Sequence, residues 1–298
     1  MQASSGALQS LPDMNRPLVI VGHSAAMRRI SQEIAVAALS DVPVLISGEP
    51  GVGRRLIART IHDRSMRYAG PFMSINCALL PDSRLESELF GQVKGSGADS
   101  RSDVRGRLDA ANHGTVLLQD VAYLSRRLQG RVLRFTETKQ IQKVGALHLQ
   151  PSDVRLMAIS RRRLVDSVSN STFREDLFYR VNVIHIEVPA LRQRREDVPA
   201  LFKYFQSVHA ARLGRPLVDL TPDALHCLID YDWPDNVREL KNVAEHLAVS
   251  CESERAGVED LPTEIARGFS PRSVLRAVPA WAPSYDRVRG PGRHSAGA

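Results

Sequence analysis

The chain has 298 residues, of which 43% are hydrophobic and 24% charged, and a formal net charge of +7. This balance is that of a soluble globular protein and excludes a wholly disordered chain. No apolar run approaches the roughly 18–20 residues of a membrane span, the start has no basic-then-apolar signal pattern, and Cys77, Cys227 and Cys251 are too scattered for a disulfide framework or a zinc site.

Residues 1–16 are rich in Ser, Gly and Gln without periodicity and read as a flexible arm. The apolar run 42–47 predicts a short strand, followed by a Gly-rich turn and a helix over 56–67. Further strands are predicted over 71–76, 115–120, 154–160 and 183–188, with helices over 85–90 and 124–137 between them. Buried strands alternating with helices predict a parallel sheet in an α/β domain. After Pro189 the strand signal stops, and helices are predicted over 196–213, 221–230 and 236–250. Thr221 followed by Pro222 is a cap with proline at the first helical position, and Asn236 is the expected cap of the next helix. The division is an α/β core over 17–190 and a small helical domain over 191–266. From Arg267 to the end, six arginines face the single acid Asp286, with four prolines interspersed, so 267–298 reads as a basic disordered tail.

The first strand runs into Gly48-Glu49-Pro50-Gly51-Val52-Gly53-Arg54-Arg55 and then a helix. That is the spacing of a phosphate-binding loop, in its strand–loop–helix context. Its glycines let backbone N–H groups point at phosphate oxygens, and the helix N-terminus adds positive potential. The lysine position holds Arg54 and the hydroxyl position holds Arg55, and arginine is not a conservative replacement for lysine.

Five segments, 48–55, 86–91, 173–180, 188–197 and 233–241, occur in this order. Together they resemble the central ATPase domain of bacterial enhancer-binding proteins, the AAA+ activators of RNA polymerase carrying sigma-54. The resemblance covers about 18 to 265. It implies a P-loop AAA+ parallel sheet with flanking helices and a helical lid, ATP and Mg²⁺ as cofactors, and a homo-oligomer ring, or a mixed ring with a related activator. It also implies sigma-54 RNA polymerase as partner, and the lack of a span, a signal pattern or a cysteine framework reads as a cytoplasmic protein.

Carried over residue by residue, the resemblance assigns nucleotide contacts to Gly48, Glu49, Gly51, Val52, Gly53, Arg54 and Arg55. Asn76 takes the place of the asparagine that couples the catalytic acid to nucleotide state. Arg174 and Arg180 stand at the arginine-finger positions that reach a neighbouring subunit's nucleotide, Arg238 at the lid arginine and Ser160 at the first sensor. The family ends its third strand in Asp-Glu, which here is Gln119-Asp120. Either Asp120 replaces the catalytic glutamate, or it takes the Mg²⁺ role after a one-residue slip that needs a bulge. The sigma-contacting loop is shortened to Gly95, Ser96 and Gly97, without the family's aromatic residue. No DNA-reading helix pair is expected in 267–298. These departures predict impaired hydrolysis and impaired direct remodelling of sigma-54. Three functions stay open at this point: a working sigma-54-type regulator, a non-catalytic AAA+ partner subunit that modulates an active relative, or a truncated product without activity.

Overall fold

The computed structural model describes residues 19–96, 103–161, 163–251 and 253–267. The arm, the tail beyond Arg267 and Gly97 lie outside the described residues.

Five parallel strands, β1 (Val44–Gly48), β2 (Phe72–Asn76), β3 (Thr115–Gln119), β4 (Arg155–Ser160) and β5 (Ile184–Val188), form one sheet in the order β2-β3-β4-β1-β5. Side chains alternate across the sheet because successive Cβ atoms point to opposite faces. Val44, Ile46, Leu117, Met157, Ile159 and Ile186 pack against helices α1 (Ala25–Ala38) and α2 (Arg54–Asp63). Leu45, Ile75, Val116, Leu118, Leu156 and Ala158 face a second core. That core is closed by α3 (Asp82–Phe90), α4 (Arg126–Thr138) and α5 (Glu175–Val181). With both faces covered, the strands read as continuous apolar runs rather than alternating ones.

Helix α1 has no counterpart among the predicted elements, although its signals are present. Ser24 caps it through a hydrogen bond from the Met27 backbone N–H. Met27, Ile30, Ile34 and Ala37 form its buried stripe. Its C-terminal end is met by the buried Arg155, which donates to the carbonyl of Ala37 at 2.6 Å. The predicted helix over 56–67 instead starts at Arg54, directly after left-handed Gly53, and stops at Asp63. The helix Glu175–Val181 also arises where none was predicted.

The lid holds α6 (Val198–Leu213), α7 (Pro222–Asp230) and α8 (Asn236–Ser250) around a core that includes Trp233 and Leu240. The predicted helix over 196–213 is shortened, because Arg195–Asp197 is a separate 3₁₀ turn. Buried Asp197 accepts the Ser24 N–H at 2.8 Å and its hydroxyl at 2.7 Å, joining the lid to the start of α1. Thr221 caps α7 as expected. Asn236 does not cap α8: Asp235 holds the N-cap position, and the Asn236 side chain turns to the phosphate loop. A buried amide serves two chain segments there, a role that local helix signals do not specify.

Candidate functional site

Strand β1 lies between β4 and β5 and is buried from Val44 to Ser47. It delivers the loop 48–53 to the carboxyl edge of the sheet, where ligands of open α/β sheets bind. The glycines have distinct reasons. Gly48 has φ +145°, and a Cβ there would lie 2.6 Å from the Val188 carbonyl. Gly51 has φ +81°, and its Cβ would lie 2.0 Å from the carbonyl of Asp235 on the lid. Gly53 has open space around it but needs φ +102° to launch α2.

Beyond the loop lies a cleft of about 470 Å³ lined by Gly51, Gly53, Arg54, Arg55, Asn76, Gln119, Asp120, Arg161 and Arg238, with Pro50 and Ile159. Its size is that of a small-ligand site. Four arginines face one carboxylate across it. Gly48 and Val52 pack beneath the loop, where Val52 is buried. Glu49 points to the lid instead. It accepts from Arg192 Nη1 at 2.8 Å and from the Asn236 amide at 3.1 Å. Those two donors hold its carboxyl down to about 2. Asn236 also donates to the Pro50 carbonyl at 3.0 Å and accepts the Leu191 N–H at 2.7 Å, so one buried side chain ties the loop to the lid at three points.

Arg54 extends across the mouth of the sheet and donates to the carbonyl of Ser160 at 2.7 Å. Burial lowers its affinity for its proton, and the charge of Asp120 opposes that effect. Ser160 itself is buried at the end of β4, paired with Ser47.

The ladder between β2 and β3 is regular from Phe72 opposite Thr115 to Asn76 opposite Gln119. Among the described residues no bulge interrupts it. Asn76 and Gln119 therefore stand side by side at the cleft. Asp120 follows in the left-handed region at φ 55°, and this turn, not a slipped register, carries it to the cleft. Asp120 is buried, and both of its oxygens are engaged: Arg161 donates from Nε at 2.9 Å and from Nη2 at 2.7 Å. Arg161 was not singled out in the sequence. The available signal was its place one residue beyond the strand that ends at the sensor position.

Arg238 reaches the cleft from α8 and pairs with Asp235 at 3.0 Å. Arg174 and Arg180 flank the two ends of α5 and are not among the described residues lining the cleft. Arg174 pairs with Asp176 at 2.7 Å, and Arg180 is exposed. Gly95 and Ser96 lie apart from the cleft. Gly95 has φ +83°, and the Ser96 hydroxyl donates to the Val93 carbonyl at 2.6 Å.

The family described as the sigma-54 interaction domain matches residues 20–187, and the AAA+ ATPase lid domain matches 192–275. The chain belongs to the sigma-54 interaction domain family. It is 44% identical over 249 residues to the transcriptional regulatory protein ZraR of Escherichia coli, covering 83% of this chain and 56% of ZraR. It is 40% identical over 260 residues to the regulatory protein AtoC of the same species, covering 87% of this chain and 56% of AtoC. NtrX from Brucella abortus, solved in complex with ATP, superposes with a TM-score of 0.78 at 32% identity, over 89% of this chain and 58% of NtrX. The chain thus spans a little over half the length of these relatives. The expected α/β fold with an AAA+ sheet and helical lid stands, and among the described residues no helix is long and apolar enough to cross a membrane.

Proposed function

We propose that this chain is a sigma-54-type transcriptional regulator that binds ATP in the cleft and hydrolyses it poorly. The glycine backbone of 48–53, the N-terminus of α2 and the guanidinium groups of Arg54, Arg55 and Arg238 suit a polyphosphate. The observation that carries the impairment is at the end of β3. Gln119 is neutral where the family has an acid, and Asp120 is already neutralised by Arg161. With both oxygens taken by Arg161, the carboxylate has no free edge to position an attacking water. The short loop at Gly95 and Ser96 offers sigma-54 no aromatic anchor of the kind that carries interface energy.

A second reading has its own support. Arg174 and Arg180 are not among the described residues lining the chain's own cleft, which suits a role toward a neighbour. In a homo-oligomer ring, or in a mixed ring with a related activator, this subunit would complete another subunit's site while contributing little turnover of its own. The setting for either reading is the cytoplasm, with sigma-54 RNA polymerase as the downstream partner.

The test is ATP binding and turnover by the purified chain at ring-forming concentration, alone and mixed with an active relative. Binding without turnover, and a changed relative's rate on mixing, support the proposal. Rapid turnover by the chain alone overturns it.

A further inference from the structure

The Mg²⁺ that the family implies does not fit the donor set of this cleft. A hydroxyl and a carboxylate are replaced by Arg55 and Gln119, and both oxygens of the remaining acid, Asp120, are occupied by Arg161. Magnesium requires oxygen ligands in near-octahedral order, and cations line this cleft instead.

We infer that the cleft takes a nucleoside triphosphate free of divalent cation, with the Arg161 guanidinium supplying the positive charge that a metal ion would otherwise bring. This rests on the nucleotide reading above. The side chains are already sorted for it. Arg54 is partly buried and braced on the Ser160 carbonyl, so it is preorganised. The Arg161 side chain is 46% exposed, and Asp120 beneath it 5%. Arg161 therefore projects from a fixed carboxylate towards the cleft and can offer phosphate the part of its guanidinium not turned to Asp120, while the ion pair stays closed. A planar guanidinium matches phosphate oxygens in a bidentate manner. A divalent ion would cancel two of the ligand's negative charges before the ligand met four arginines. Each unit charge pair at about 4 Å in water is worth roughly fivefold in affinity.

The experiment is calorimetric titration of the purified full chain with ATP, in EDTA and in excess Mg²⁺ at matched ionic strength. Affinity in EDTA is expected to exceed that in Mg²⁺ by at least about fivefold. Equal or weaker binding in EDTA than in Mg²⁺ overturns the inference and leaves the nucleotide reading standing. Binding in neither condition overturns both. Two variants separate recognition from packing, because both break the same ion pair. Arg161→Gln should weaken metal-free ATP binding about fivefold, whereas Asp120→Asn, which frees the guanidinium, should strengthen it. Equal losses in both variants would mean that the pair only supports the fold, and would overturn the role of Arg161.

Discussion

Arg161 donates from Nε and Nη2 to the two carboxylate oxygens of Asp120, closing a fork across the ends of β3 and β4. The acid is almost wholly buried and the base is half exposed, so removing the base strands a charge in a protein environment. Solvent reaching the guanidinium screens the pair and moderates the loss. Arg161→Ala is expected to cost about 1 kcal/mol, or roughly 2–4 °C in melting temperature for a chain of this size. Thermal unfolding monitored by circular dichroism checks this, and an unchanged midpoint would contradict the burial argument.

Hydrolysis should return in steps as the cleft regains acids and hydroxyls. Arg54→Lys with Gln119→Asp is expected to raise Mg-stimulated ATP turnover at least about tenfold, equivalent to 1.36 kcal/mol of barrier. Adding Arg55→Thr should raise it further, since it supplies the missing hydroxyl. A folded, ATP-binding variant with no gain in phosphate release would locate the defect outside these positions.

Asn236 is fully buried and bonded to Glu49, Pro50 and Leu191. Asn236→Ala leaves the Leu191 N–H and the Pro50 carbonyl without that partner, at a cost of about 1–3 kcal/mol. The urea midpoint should fall accordingly. The apparent affinity for ATP should fall with it, because the loop loses its hold on the lid.

The Glu49 carboxyl is held at about 2 against an ordinary value of 4.5, by Arg192 first and Asn236 second. A depressed folded value means the carboxylate contributes stability that is fully present above pH 4.5 and is lost as pH falls towards 2. The difference in melting temperature between the wild type and Glu49→Gln should therefore be constant above pH 4.5 and shrink below it. A difference that stays flat through that window would rule out Glu49 as a titrating tether.

Arg174 and Arg180 stand outside the chain's own cleft. Replacing either by Ala should leave the ATP affinity of dilute, unassembled chain within about twofold, as for a surface change. The same variants should abolish any effect on an active relative's turnover in mixed samples. A large loss of affinity in the dilute chain would mean that they act in cis.

The sequence by itself determined the fold class and the position of the phosphate loop. Apolar runs of strand length, the Gly48–Gly53 spacing and the Thr221–Pro222 cap are local signals, set by backbone sterics and hydrogen bonding within a few residues. The family followed from ordered motifs, and so did the positions that depart from it, Arg54, Arg55 and Gln119. Helix α1 was legible too, in its Ser24 cap and its apolar stripe. Only the tertiary structure decided what these residues do to one another. Asp120 reaches the cleft through a left-handed turn after an unbroken ladder, and its partner Arg161 stands 41 positions away in the chain. Asn236 left its expected cap to join loop and lid across 187 positions. Such pairs are chosen by which strand ends the sheet order brings together and by the need to satisfy every buried charge and amide, neither of which a local stretch of residues encodes.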